Sequence, residues 1–261
     1  MALPVLLRDY SIAPPAREFK WKNVNFPAWL IIPIFRRLKQ KAVLDDGCNP
    51  ELVRGAEFDG GLEIPKIYAP SKIWIPEGIT PFSQRDKVSG KNEALGFYEK
   101  DPEFAEVLRN PENHLNNFAR FGAVISVDCS LYRDAPLAVQ ITNLYRNRAI
   151  GSFIQRKGNY VVPNIRWGND LTYTTKYFPE KIAFLGAPKN SIVSVGTYGC
   201  IQTREDKYYF RAGLDAMLET LEPQVVLVYG SMPKSVFGRY ESYTRFVSFP
   251  DWTTRMHGGD R

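Results

Sequence analysis

The sequence predicts an α/β fold: a parallel sheet of at least four strands with crossover helices, open or closing into part of a barrel, plus an irregular N-terminal layer. Three observations predict it. Four short apolar runs lie between Phe121 and Ser231: Ala123 to Val127 (AVISV), Tyr160 to Ile165 (YVVPNI), Ser191 to Val195 (SIVSV) and Gln224 to Tyr229 (QVVLVY). Each is rich in Val and Ile and too short for a buried helix, which is how a strand covered on both faces reads. Their starts, near residues 123, 160, 191 and 224, recur at roughly the 30-odd residues of a βα unit. The segments between them are long enough to return the chain to the same edge of a sheet, as parallel neighbours require.

Composition sets the bounds. With 261 residues, 44% hydrophobic and 24% charged, the chain can bury a full core as one large domain or one domain with an extension. No run approaches the ~18 apolar residues of a membrane span. The start MALPVLLRDYSIAPPAREFKWK lacks the basic beginning, long apolar middle and small-residue cleavage site of a signal peptide. A soluble, cytoplasmic protein with no membrane partner is therefore expected. Cys48, Cys129 and Cys200 are far apart and form no CxxC, so reduced thiols are expected rather than disulfides or zinc.

The 34 basic residues against 28 acidic, net +6, lean toward a polyanionic partner. Arg36, Arg37, Lys39 and Lys41 form one basic cluster; Arg146, Arg148, Arg156 and Lys157 another; Arg239, Arg245, Arg255 and Arg261 a third. Two readings fit these clusters: solvated faces, or a surface that tracks phosphates. Tyr240, Tyr243, Phe246 and Trp252, interleaved with the third cluster, could stack bases or pack a C-terminal extension on the core.

In chain order, residues 1–120 read as an arm and an irregular layer, 121–235 as the parallel core, and 236–261 as a basic aromatic extension. Met1 to Lys20 is proline-punctuated and extended, and Ile34 to Lys41 (IFRRLKQK) is a short amphipathic basic helix. Lys66 to Tyr68 and Lys72 to Trp74 are the best strand candidates in the layer, and Ser83 to Asn92 is a polar exposed loop. Helices follow at Pro102 to Leu108, capped by Asp101, and at Pro111 to Phe118, capped by Asn110. Within the core, a long helix spans about Pro136 to Lys157 and presents Leu137, Ile141 and Leu144 to the sheet, with Arg148 the polar exception on that face. Further helices span Pro179 to Leu185 and Lys207 to Leu221.

Parallel α/β sheets bind ligands outside the carboxyl ends of their strands, where loops meet helix N-termini. All four runs end in polar or glycine residues: Asp128 and Ser130; Arg166, Trp167, Asn169 and Asp170; Thr197, Tyr198 and Gly199; Tyr229, Gly230 and Ser231. Asp128 fits a catalytic carboxylate or a metal ligand, Arg166 a phosphate or carboxylate clamp, and Trp167 or Tyr198 a stacking wall. Ser130, Trp167, Asn169, Thr197, Tyr198 and Gly199 are the expected ligand-binding set; Arg146, Arg148, Arg156, Arg239 and Arg245 the expected nucleic-acid contacts. A purely structural role for the same strand ends, as helix caps and tight turns, stays open.

The blocks AVISVDCSLYRDAP, IGSFIQRKGNYVVPNIRWG and SIVSVGTYG resemble those of the domain-of-unknown-function family 4417, found in phages, prophages and other mobile elements. The resemblance covers roughly Gly122 to Ser231 and rests on its D-x-S and V-P-x-x-x-W motifs, with Cys129 in the variable middle position of the former. It implies a mobile-element setting and carries no activity to individual residues.

Familiar catalytic templates are absent: no G-x-S-x-G elbow, no Walker A loop, no G-x-G-x-x-G, and with two histidines no H-E-x-x-H. Cys129 and Cys200 fall at strand ends without a histidine nearby in the chain. Mg²⁺ held by Asp128 with Asp134 or Asp170 would serve phosphodiester chemistry. Two readings of function result: a nucleic-acid-associated protein of a mobile element, binding DNA or RNA, or an enzyme or sensor for a small anionic or nucleotide-like ligand. A protein partner for the proline-rich arm is a third.

Overall fold

The computed structural model describes residues 49–258. A 3-10 turn at Pro50–Val53 opens it, followed by two short antiparallel strands, β1 (Phe58–Asp59) and β2 (Ile64–Pro65). Then come β3 (Gly78–Pro81), β4 (Glu93–Gly96), α1 (Ala105–Arg109), α2 (Leu115–Phe118), β5 (Ala123–Ile125), α3 (Leu137–Arg156) and β6 (Val161–Val162). The chain continues through α4 (Asp170–Tyr173), β7 (Ile192–Gly196), α5 (Arg204–Leu221), β8 (Val225–Tyr229), α6 (Lys234–Phe237), β9 (Arg245–Phe249) and α7 (Trp252–His257).

The parallel α/β arrangement is present, in two ladders. Strands β3-β4-β5-β6 form one and β7-β8-β9 the other, each in chain order and parallel throughout. A parallel bridge between Asn164 and Ser194 joins them, with Ile165 N–H donating to Ser194 O at 2.8 Å and Ser194 N–H to Pro163 O at 2.9 Å. Pro163, which has no N–H to donate, interrupts the ladder after only two residues of β6.

The sheet takes in more of the chain than the apolar runs suggest. Strands β3 and β4 come from the segment expected to be an irregular layer, and β9 from the expected C-terminal extension. Lys66 to Tyr68 and Lys72 to Trp74 are not strands. Tyr68 exchanges backbone hydrogen bonds with the Gln155 side chain of α3, at 2.8 and 2.9 Å, and Trp74 N–H donates to the Tyr160 hydroxyl. Side chains satisfy these backbones where a ladder would have done so. Helix α5 begins before Lys207 because Thr203 and Asp206 form a capping box. The expected helix at Pro179 to Leu185 is a 3-10 turn at Ile182–Phe184, and Asp101 accepts from Ser130 rather than capping a helix. The arm and the Ile34 to Lys41 segment lie outside the described residues.

Side-chain alternation shows that the sheet is rolled. Ile79, Ala94, Ile125, Val162, Ile192, Val225, Leu227 and Phe249, drawn from all seven parallel strands, form one inner cluster. Their neighbours Leu95, Val124 and Val161 face the α3 residues Ile150, Phe153 and Ile154, and Val193, Val195, Val226 and Val228 face Leu214 and Met217 of α5. In a flat sheet β4 and β8 would lie about 19 Å apart, four steps of ~4.8 Å. Tyr98, just past β4, nonetheless stacks on Tyr229 of β8 with ring centroids 4.9 Å apart. Only a sheet curved into a barrel brings them together. Among the described residues no ladder pairs β3 with β9; α7 covers this seam, where Arg255 forms a bidentate ion pair with Glu93 of β4 at 2.7 and 2.9 Å. No helix among the described residues is long and apolar enough to cross a membrane.

Candidate functional site at the carboxyl mouth of the barrel

The ends of β4 to β7 converge on a buried polar chain. The Tyr98 hydroxyl, deep in the mouth, lies 2.5 Å from Ser194 Oγ and donates to Asn164 Oδ1 at 3.2 Å. Asn164 Nδ2 donates to Asp128 Oδ1 at 2.6 Å. Arg166 then grips Asp128 with two parallel bonds, Nε to Oδ1 and Nη2 to Oδ2, both 2.5 Å, while its Nη1 meets Cys200 Sγ at 2.8 Å. Bidentate pairing of this kind fixes the guanidinium in its plane.

Local sequence explains the convergence. Gly196 closes β7 facing inward, where a Cβ would stand 2.6 Å from the Tyr98 ring, so only glycine lets that ring cross. Gly213 of α5 does the same for Trp167, whose Nε1 would lie 2.2 Å from a Cβ. Trp167 thereby docks on the helix, tilted against Phe210 at 5.2 Å.

Burial raises the Tyr98 hydroxyl pKa, so it stays protonated. Burial by itself would lower the pKa of Arg166, but the Asp128 carboxylate and Cys200 together more than offset this and the guanidinium is held well above its ordinary value.

Above this floor opens a cleft of about 490 Å³, walled by Trp167, Tyr209 and Phe210 on one side and rimmed by Tyr132 and Tyr198. Arg133 lies over the Tyr209 ring at 4.8 Å and reaches Glu205 and Asp206 at 3.4 Å. Three basic residues, Lys100, Arg133 and Arg166, face four acidic ones, Glu99, Asp128, Asp134 and Asp206, so the lining is close to neutral.

The structure places Asp128, Ser130, Arg166, Trp167, Tyr198 and Gly199 on this cleft. Asn169 and Thr197 are not on it. Asn169 caps α4, accepting from Leu171 N–H, and donates to Arg133 O at 2.7 Å. Thr197 is buried and its hydroxyl donates to Ser231 O at 2.8 Å, tying two strand ends together. Arg166 and Asn164 take three of the roughly four acceptor positions of the Asp128 carboxylate, so in this arrangement it anchors Arg166 rather than standing free. The donor set does not suit Mg²⁺: Asp170 pairs with Lys176 at 3.6 Å, and among the described residues no group of three His, Cys, Asp or Glu could hold a metal ion.

The expected nucleic-acid contacts are also revised. Arg148 is fully buried, donating to the carbonyls of Leu185, Asn164 and Ala183 and to Asn147 Oδ1. Burial pushes its pKa down to about 10, still charged at neutral pH. Arg156 donates to the carbonyls of Leu52 and Arg54, fastening the 3-10 turn Pro50–Val53 to α3. Arg239 pairs with Asp215 and the Tyr240 hydroxyl, and Tyr240 is itself buried. Arg146 is half-buried on α3; Arg245 is exposed but opens β9, at the strand end opposite the cleft. Tyr98, Asn164 and Ser194 are invisible as site residues in the sequence, since 66 and 96 positions separate Tyr98 from its partners.

Two phage proteins are similar to this chain. It is 29% identical over 162 residues to the Gene 1 protein of Mycobacterium phage D29, an alignment taking in 61% of this chain and 57% of that protein. It is 30% identical over 148 residues to the Gene 1 protein of Mycobacterium phage L5, taking in 57% of this chain and 62% of that protein. The chain thus spans less than two thirds of the length of either relative. No solved structure matches it. The family described as "Domain of unknown function (DUF4417)" matches residues 56–250, most of the chain and all seven parallel strands, and the chain belongs to that family, whose relatives here come from phages.

Proposed function

We propose that the carboxyl mouth of the barrel binds a small ligand carrying a planar ring and an oxyanion, the chemistry of a nucleotide. The observation that carries this reading is the state of Arg166. Three of the five N–H donors of a guanidinium are committed to Asp128 and Cys200, and the side chain, still 21% exposed, lines the cleft. The remaining donors suit one phosphate or carboxylate, and Asp128 serves as the positioning residue that holds them in place. Trp167 and Tyr209 supply faces for the ring. A pocket of this size at the carboxyl ends of parallel strands is where such folds hold small molecules. Among the described residues of the basic clusters, Arg148, Arg156, Arg239 and Arg255 are engaged within the fold, which supports the small-ligand reading over a broad nucleic-acid face.

Thermal shift and calorimetric titration test it with thymidine 5′-monophosphate, adenosine 5′-monophosphate, the parent nucleosides and inorganic phosphate. A mononucleotide should stabilise the protein more than its nucleoside, and Arg166→Gln should remove that difference. Equal, absent stabilisation by all five compounds would refute the reading.

A further inference from the structure

The aromatic character of the cleft does not stop at its rim. Tyr132 and Tyr198 stand 64% and 72% exposed where the cleft meets solvent, and Tyr208, 61% exposed on α5, packs edge-on against the cleft residue Tyr209 at 5.3 Å. Large rings this open and grouped beside a pocket suit a partner that covers them with flat apolar surface while leaving the hydroxyls wet. We propose that the partner is a single-stranded nucleic acid, one nucleotide of which enters the cleft while neighbouring bases stack on the rim tyrosines. The inference rests on the reading of the cleft as a nucleotide-sized site and extends it from a free molecule to a strand.

The charge pattern supports stacking as the main source of affinity. With three basic residues against four acidic ones in the lining, and Asp128 neutralising Arg166 locally, the cleft cannot neutralise many phosphates. A duplex keeps its bases stacked on one another and offers these rings nothing. A single strand offers a π-face at every nucleotide. Salt sensitivity should accordingly be shallow: with one or two phosphates contacted, log Kd against log salt should change by about 0.7 to 1.4.

The test is fluorescence anisotropy of the full chain with a labelled oligothymidylate of about a dozen nucleotides, within the footprint range of stacking proteins, and with its duplex, alongside calorimetry with thymidine 5′-monophosphate. The single strand should bind tighter than both the duplex and the mononucleotide. Tyr208→Ala, on an exposed ring outside the cleft, should weaken the oligonucleotide roughly five- to 150-fold and leave mononucleotide affinity and the melting temperature unchanged. Arg166→Gln should weaken both ligands. The inference is overturned by equal affinity for duplex and single strand, by a Tyr208→Ala variant with wild-type oligonucleotide affinity, or by a salt slope beyond about 3, which would mean backbone tracking by a basic face. Mononucleotide binding with no gain from the strand would overturn the inference alone. Failure of every nucleotide ligand would overturn it together with the reading of the cleft.

Discussion

Replacing Asp128 by Asn separates two roles that its position permits. If Asp128 orients Arg166, the substitution removes the countercharge of a guanidinium that is only about a fifth exposed, while the amide keeps most of the shape. Breaking a buried pair by neutralising one member costs about 3–5 kcal/mol. Here that figure is reduced by the partial exposure of Arg166 and by its surviving contact with Cys200, leaving about 2–4 kcal/mol. At a urea m-value of about 2–3 kcal/mol/M the unfolding midpoint should fall by roughly 1 M. Arg166→Gln should cost a similar amount, since it leaves the Asp128 carboxylate facing Asn164 alone. The double variant strands no charge, so its cost should undershoot the sum of the singles by about 2 kcal/mol. Mononucleotide affinity should fall in all three. A stability change under about 0.5 kcal/mol with no coupling would refute the positioning role, and retained ligand affinity with a loss confined to turnover would restore Asp128 as a catalytic carboxylate.

Gly196→Ala should place a methyl 2.6 Å from the Tyr98 ring, costing about 1–3 kcal/mol by overpacking and displacing that ring from Tyr229; a near-ultraviolet circular dichroism spectrum identical to wild type would contradict it. Arg148→Met keeps the apolar stem but leaves the carbonyls of Leu185 and Ala183 without this donor and Asn164 O with only its 3.4 Å bond from Asn147, so chemical denaturation should show a loss of about 3–5 kcal/mol; wild-type stability would mean these carbonyls find other donors. Burial lowers the pKa of His114 beneath its ordinary 6.5, so just below that pH the unfolded chain holds a proton that the folded chain lacks. Stability from this group is then present above pH 6.5 and lost on acidification, and His114→Gln should flatten that limb of a pH-dependent melting series; an unchanged limb would assign it elsewhere.

The strands that are legible in the sequence share one property: both faces are covered. VVLVY of β8 and IVSVG of β7 are wholly buried, and a run this short and rich in Val and Ile fits a strand enclosed on both sides better than any surface element. The strands that the sequence hides lack such a run, whether covered like β3 or open like β9. Strand β3 is Gly-Ile-Thr-Pro, four residues bounded by the two types that weaken a strand assignment, and it lies at the edge where Pro81 costs no ladder bond. Strand β9 is also an edge, with Arg245 and Ser248 exposed, so its composition reads as surface. The rolling of the sheet is not readable from these runs because it shows only in Tyr98 meeting Tyr229 across the barrel.

Helix α3 shows why part of the site is legible and part misleads. Asp128 and Arg166 can be named because topology alone brings strand ends together. Arg148 reads as the one charge on an apolar stripe and so suggests a nucleic-acid contact, yet the same pattern argues for burial, since a stripe that faces the sheet carries every residue on it inward. Three other polar residues of α3, Gln140, Asn147 and Ser152, are buried with it. Asn147 donates to Val127 O at 2.5 Å and Arg148 to Asn164 O at 2.9 Å. Both carbonyls lie where β5 and β6 have ended and no ladder satisfies the backbone. A barrel that stops its strands early to form a polar mouth must bring donors from elsewhere for the carbonyls it frees, and α3 brings them from behind. Asn147 and Arg148, which spoil the amphipathic pattern of α3, thus serve the site on the other side of the sheet.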